Sequence, residues 1–294
     1  MIQNIYPEVF YNQFRNDGRA AARDEDTVFA FCGRTILVRT DERGMLVFPS
    51  VREAKDVGLS DHLQYLFSIC RDPEGEEHRF FLYTDYGADK ESIILKLPFY
   101  SFEGMMNLRF LNPKDLCFAG MTAYHLYVWY RDNVFCGRCG EKTHTSEKER
   151  ALVCPRCGNT IYPKICPAVI VGVTKGDQIL MTRYAGRSGA GNALIAGFCE
   201  IGETAEETVQ REVMEEVGLH VTDIRYYKTQ PWGFESDLLL GYYCQAAPGE
   251  DIVMDENELS RAVFVPRNEI GQEDNDVSLT AEMIQYFRDH PEKF

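Results

Sequence analysis

The chain has 294 residues, 45% of them hydrophobic and 26% charged, which fits about two domains plus a small module in a soluble protein. Its formal net charge of −15 argues against an extended nucleic-acid groove, because phosphate-backbone binding needs clusters of Lys and Arg; an enzyme that grips only the end of an RNA is compatible with it. No run approaches the roughly 18 apolar residues needed to cross a bilayer, and residues 1–14 lack a basic segment followed by an apolar one, so no membrane partner, no secretory signal and a cytoplasmic location are expected.

Residues 1–130 read as an N-terminal α+β domain. Runs 27–30, 36–38 and 45–48 favour strands, with Asp41-Glu42-Arg43-Gly44 as a turn. A second hairpin is expected from residues 63–70 through Arg71-Asp72-Pro73-Glu74-Gly75 to residues 79–84. Residues 121–130 read as a helix. No catalytic motif stands out in this part.

Residues 131–162 carry two C-x-x-C knuckles, Cys136-Gly137-Arg138-Cys139 and Cys154-Pro155-Arg156-Cys157, with 14 residues between them. Four thiolates at this spacing read as one tetrahedral, structural Zn²⁺ site. Two disulfides or a redox pair are the alternatives; a redox motif needs only one knuckle, and the matched second one argues against it. Gly140 and Gly158 follow the knuckles and suit tight turns beneath a metal. Cys32, Cys70, Cys117, Cys166, Cys199 and Cys244 show no paired spacing and read as buried free thiols of a reducing compartment.

Residues 163–294 change character. Strands are expected at 168–173, 178–184, 193–196, 224–229, 238–243 and 262–265, and Ser278 is placed to cap a helix whose apolar face is Leu279, Met283, Ile284 and Phe287. Between them, Thr204 and Glu207 form a capping box that starts a helix near Ala205. Ala205, Val209, Val213 and Val217 make one apolar row, and Gly218 fits the left-handed position past the end. Glu207 with Arg211, and Arg211 with Glu215, are four-apart pairs of opposite charge. Glu212 and Glu216 stack one turn apart, with Glu215 sharing part of that face. Seven Glu fall between residues 200 and 216 beside one Arg. Such a cluster repels itself unless cations sit among the carboxylates. Hard divalent ions bind a few carboxylates together with substrate phosphates, which points to chemistry on a diphosphate. A solvated acidic helix is the bland reading of the same glutamates.

The spacing Gly197, five residues, Glu203, seven residues, Arg211-Glu212-Val213-Met214-Glu215-Glu216-Val217-Gly218-Leu219 is similar at every fixed position to the Nudix box. Thr229-Gln230-Pro231-Trp232-Gly233-Phe234-Glu235-Ser236 resembles the Q-P-W-P-F-P-x-S signature of the NADH pyrophosphatase family of Nudix hydrolases. That family also carries a four-Cys zinc segment ahead of its Nudix domain. Trp129, Tyr162-Pro163 and Ala196-Gly197-Phe198 match as well, so the resemblance covers residues from about 120 to the C-terminus.

The resemblance implies an α+β chain with a Nudix α/β/α sandwich around a mixed sheet, preceded by a zinc ribbon and an N-terminal domain. It implies Mg²⁺ or Mn²⁺ at Glu212, Glu215, Glu216, Glu258 and the carbonyl of Ala196, with the three box glutamates catalytic. Glu203 and Arg211 brace the loop against the helix. Substrate contacts are implied for Tyr162, Phe198, Thr280 and a loop of Gln230, Pro231, Trp232, Gly233, Phe234, Glu235, Ser236 and Asp237. The implied reaction splits NADH or NAD⁺ into nicotinamide mononucleotide and AMP, and extends to NAD caps on RNA, in a homodimer. Gly233 and Glu235 replace two prolines of the signature, which leaves the loop looser and more acidic, and Thr280 stands where a small Ala is usual. A different dinucleotide or nucleoside diphosphate, such as ADP-ribose or FAD, is the alternative within the class. A non-catalytic nucleotide-binding module is the alternative outside it.

Overall fold

The strand β1 (Cys166–Thr174) is buried at every side chain from Ala168 onward, as a strand covered on both faces must be. In the computed structural model, which describes residues 1–14, 21–70, 75, 77–87, 89–186, 192–272 and 277–294, it lies at the centre of a six-stranded mixed sheet. The other members are β2 (Gln178–Tyr184), β3 (Ile195–Phe198), β4 (Val221–Trp232), β5 (Asp237–Ala246) and β6 (Leu259–Pro266). The order is β4-β5-β1-β2-β6, with β3 also paired to β1. β1 and β5 are parallel from Cys166 opposite Asp237 to Thr174 opposite Gln245. β3 runs antiparallel to β1, setting Ala196 opposite Ile170 and Gly197 opposite Val169.

Helices cover both faces. The helix α1 (Ala205–Val217) packs Val209, Val213 and Val217 against Val169, Val171 and Ile195. The helix α2 (Leu279–Asp289) packs Leu279, Met283, Ile284 and Phe287 against Ile170, Ile179 and Met181. This is the α/β/α sandwich with a mixed sheet expected from the sequence. It belongs to a unit of Met1, Ile165–Trp232 and Ser236–Phe294.

The capping box forms as expected: Glu207 N–H donates to Thr204 Oγ1 at 3.2 Å and Thr204 N–H to Glu207 Oε2 at 2.8 Å. That cap occupies the Glu207 carboxylate, and Arg211 makes its ion pairs with Glu203, Glu212 and Glu215 instead of with Glu207. Gly218 closes α1 at φ +67°, and a Cβ there would sit 2.9 Å from Val253 Cβ. Gly218→Ala should therefore cost about 1–2 kcal/mol from the left-handed backbone alone. Urea unfolding measures it, and an unchanged midpoint contradicts this account of the helix end.

The second unit comprises Ile2–Lys164 and Gly233–Glu235. One of its sheets runs Val9–Tyr11, Leu63–Cys70, Glu77–Tyr83, Thr27–Phe29; another centres on Thr35–Thr40, paired with Phe31–Cys32, Leu46–Val47 and Ser101–Gly104. The expected hairpin of residues 63–70 and 79–84 is present as Leu63–Cys70 against Glu77–Tyr83. Residues 71–74 of its turn lie outside the described residues. Arg79, 2% exposed, is paired with buried Asp26, which also accepts from Arg23 N–H. The long helix Lys114–Asp132 starts seven residues earlier than expected. Gly120 weakens the helical signal in the sequence, but a Cβ there would meet Leu108 Cδ1 at 3.1 Å, so its absence admits close packing. Among the described residues no helix is long and apolar enough to cross a membrane.

Candidate active site and zinc centre

The box residues form one hydrogen-bonded frame around Arg211. Its Nε and Nη2 grip both oxygens of Glu203 at 2.7 and 3.0 Å, and Nη2 also donates to the carbonyl of Phe198 at 2.9 Å. Nη1 donates to Glu212 Oε1 at 2.7 Å and to Glu215 Oε2 at 3.0 Å. Glu203 further accepts from Glu200 N–H and Thr208 Oγ1. These bonds, the Arg211 guanidinium first, pull the Glu203 carboxyl down to about 2. The loop between β3 and α1 is thus pinned to the helix by a bidentate arginine.

Gly197 explains the first fixed position of the box. A Cβ built there would lie 1.9 Å from Glu212 Cδ and 2.0 Å from its Oε1. β3 must therefore pass directly beneath the Glu212 carboxylate with no side chain. Gly197→Ala should displace Glu212 and lower turnover about 10²-fold, the scale of a 1 Å misplacement at a reacting centre. Steady-state kinetics on the folded variant check this; a normal kcat contradicts it.

Glu216 is the unusual carboxylate. It is 2% exposed, and its Oε2 is buried without a hydrogen-bond partner. Burial first, then the charges of Glu212, Glu258 and Glu215, push it up to about 8; the backbone N–H of Ala196 works in the opposite direction. Burial likewise raises Glu212, against the pull of Arg211. A desolvated carboxylate oxygen facing other carboxylates and lacking a donor is costly unless a cation balances it. The donor set is all oxygen, which suits a hard divalent ion. These residues therefore fit the metal that the sequence calls for.

The arrangement is incomplete in one respect. Among the described residues, no three of Glu212, Glu215, Glu216 and Glu258 bring carboxylate oxygens within 4.8 Å of one another. Arg211 draws Glu212 and exposed Glu215 to itself, while Ala196 N–H holds Glu216. Glu258 is exposed just ahead of β6, and its own carbonyl accepts from Ala185 N–H at 2.8 Å.

The Q-P-W stretch is placed differently from the expected loop 230–237. Gln230, Pro231 and Trp232 are the end of β4, Asp237 opens β5, and the connection is residues 233–236. Gln230 is fully buried, and its amide is committed: Nε2 donates to Val277 O at 2.9 Å and Oε1 accepts from Leu279 N–H at 2.7 Å, bracing the start of α2. The two non-proline positions do not loosen the turn. A Cβ at Gly233 would lie 2.6 Å from the carbonyl of Met121, and Glu235 forms a two-point ion pair with Arg34. Phe234 is buried, Trp232 half-buried, and Ser236 adopts φ +68°. Thr280 is half-buried in the first turn of α2. Phe198 is 53% exposed on β3. Tyr162 is exposed too, its hydroxyl donating to Glu149 at 3.1 Å. Arg34 had no signal in the sequence, since it stands 201 residues from Glu235.

The four cysteines of the knuckles converge. Their sulfurs all lie within 4.8 Å of one another, with contacts of 3.5, 3.6 and 3.7 Å. A tetrahedron with Zn–S bonds of about 2.3 Å has edges of about 3.8 Å, so the thiols are spaced for zinc. Each knuckle turns through a left-handed glycine, Gly140 at φ +74° and Gly158 at φ +68°, whose N–H returns to the carbonyl of Cys136 or Cys154. Backbone N–H groups, that of Arg138 first, lower the Cys136 thiol to about 6, whereas Cys139, despite the backbone N–H of Glu141, is pushed up to about 12 by burial and the neighbouring sulfurs. Three short strands, Thr160–Ile161, Leu152–Val153 and His144–Thr145, complete the ribbon. Of the remaining thiols, Cys70, Cys117 and Cys244 are buried and Cys32, Cys166 and Cys199 partly so; burial pushes Cys117 and Cys244 up to about 12.

Comparison with known proteins finds the same two parts in the sequence. The NUDIX domain family matches residues 164–287, and the NADH pyrophosphatase zinc ribbon domain matches residues 131–162. The chain is 41% identical over 137 residues to the NAD-capped RNA hydrolase NudC of Klebsiella pneumoniae (strain 342), covering 47% of this chain and 53% of that protein. It is 40% identical to the NAD-capped RNA hydrolase NudC of Yersinia pestis (strain Pestoides F), covering 47% and 52%. The chain thus spans about half the length of the curated relatives it matches. A Nudix hydrolase from Nitrosomonas europaea is similar at a TM-score of 0.45 and 21% identity, covering 53% of this chain and 90% of that one. With its box and its paired knuckles in register with both matches, the chain carries a Nudix domain preceded by an NADH pyrophosphatase zinc ribbon domain.

Proposed function

We propose that this protein hydrolyses the pyrophosphate bond of NADH or NAD⁺ to nicotinamide mononucleotide and AMP, and removes NAD from the 5′ ends of RNA. The observation that carries the reading is Glu216: a buried carboxylate with an unpartnered oxygen, beside Glu212 seated over Gly197. The relatives named for action on NAD-capped RNA support the choice of dinucleotide.

Mg²⁺ or Mn²⁺, held by Glu212 and Glu216 with Glu215, Glu258 and the Ala196 carbonyl, would supply an activated water and neutralise the phosphoryl oxygens. The protein's own part follows from its geometry. Arg211 and Glu203 fix the loop so that Glu212 and Glu216 keep their positions. Glu216, buried among Glu212, Glu215 and Glu258, or one of those neighbouring carboxylates, positions the attacking water or takes its proton. The water oxygen bonds to one phosphorus, the bridging P–O bond breaks, and each product leaves with one phosphate. Phe198, exposed beside the box, offers a face for stacking a base, and Tyr162, Thr280 and residues 230–237 complete the proposed substrate set. Functional parts at 1–130, 131–162 and 163–294, a homodimer and a cytoplasmic location belong to the same reading.

The test offers NADH, NAD⁺, NAD-capped RNA, ADP-ribose and FAD to the purified protein with Mg²⁺ or Mn²⁺ and follows products by chromatography. Formation of AMP and nicotinamide mononucleotide is expected. Preferred cleavage of ADP-ribose or FAD overturns the assignment of substrate.

A further inference from the structure

Arg183 on β2 and Arg261 on β6 stand directly opposite each other in the antiparallel ladder. The pairs Met181–Val263 and Ile179–Val265 continue the same face of the ladder. Both arginines are exposed. Like charges at one cross-strand position repel. Among the described residues no ion pair joins either guanidinium to a carboxylate, although the chain holds 46 acidic residues. Both arginines line a pocket of about 230 Å³, together with Asn192 and Glu269. Thr182, also in its wall, keeps a buried hydroxyl with no hydrogen-bond partner.

Two planar, fork-shaped donors at facing register positions, an amide in the same pocket wall and, among the described residues, no ion pair of their own make a receptor for an anion with several oxygens. Arginine suits this better than lysine, because each guanidinium offers paired N–H groups to two oxygens. Glu269 on the rim reduces the local charge from two positive to one, which matches a single phosphate group rather than a polyanionic cluster. We infer that Arg183 and Arg261 clamp one phosphate of a nucleotide ligand. The inference rests on the proposed reading, since a phosphate beyond those being cleaved is what a capped RNA presents.

The test measures binding of a 5′-phosphorylated ten-nucleotide RNA, and of AMP, to the wild type and to Arg183→Gln/Arg261→Gln at about 0.1 M salt. A loss of at least about tenfold in the double variant is expected. Loss for RNA alone assigns the clamp to an internal phosphodiester; loss for both ligands assigns it to a terminal phosphate. Unchanged binding of both ligands overturns the inference. Thermal unfolding at low salt guards against a folding defect: the single variant Arg183→Gln should melt no lower than wild type, because it relieves repulsion. NADH turnover by the wild type, measured in parallel, separates the two ideas. Turnover with unaltered RNA binding in the double variant removes the clamp alone, whereas absent turnover removes the proposed reaction while the binding data still judge the clamp.

Discussion

Glu216→Gln should lower kcat for NADH about 10³-fold with Mg²⁺ or Mn²⁺ present, with little change in KM. Losing a positioned base or a fixed charge at the reacting centre acts on this scale. The change keeps the shape of the side chain, so the fold should survive. It should in fact be more stable in the absence of Mg²⁺ and Mn²⁺. The folded-state value of about 8 lies above the ordinary 4.5, so burial of Glu216 favours the protonated form. Its contribution to stability is complete below pH 4.5 and is lost as pH rises toward 8. The glutamine variant has no charge to bury, so its melting temperature should exceed that of wild type at pH 8.5. Adding Mn²⁺ should close the gap by stabilising only the wild type. Lower stability of the variant at every pH would mean that Glu216 serves the fold rather than the chemistry.

One Zn²⁺ per chain should be found by elemental analysis, and its removal should be the largest single loss of stability available in the second unit. The ribbon has three strands of two residues each and few buried apolar side chains of its own. Metal binding free energy is then folding free energy, about 10–16 kcal/mol in isolated zinc modules. Cys157→Ser should lower the melting temperature by more than about 10 °C and leave the purified chain short of zinc. All four ligands are cysteines, so no coordination position is open for substrate and the zinc should not exchange during turnover. A protein that keeps its stability after exhaustive chelation contradicts a structural role.

Much of this was readable from the residues alone, for physical reasons that can be named. Val209, Val213 and Val217 recur at helical spacing and are fully buried, and the Thr204–Glu207 cap and Gly218 mark both ends of α1 because local backbone chemistry demands them. The knuckles were equally legible, since metal geometry dictates their spacing. What escaped was set by tertiary contact. The sequence allows Glu207 to pair with Arg211, but only the fold shows Glu203 arriving to take that guanidinium. Gly233 and Glu235 read as loosening because their partners, the Met121 carbonyl and Arg34, are remote in sequence. The resemblance implies Gln230 as a substrate contact, and the fold adds that its amide joins Val277 to Leu279. No local pattern announces a buried side chain that braces a helix almost 50 residues away.

The most direct test of the account is anomalous diffraction from crystals soaked with Mn²⁺ and a non-cleavable NAD analogue. Manganese peaks bridging Glu212 and Glu216 to the diphosphate, absent in Glu216→Gln, are predicted. Analogue bound with no manganese near those two carboxylates, or manganese only at surface acidic groups elsewhere, contradicts it.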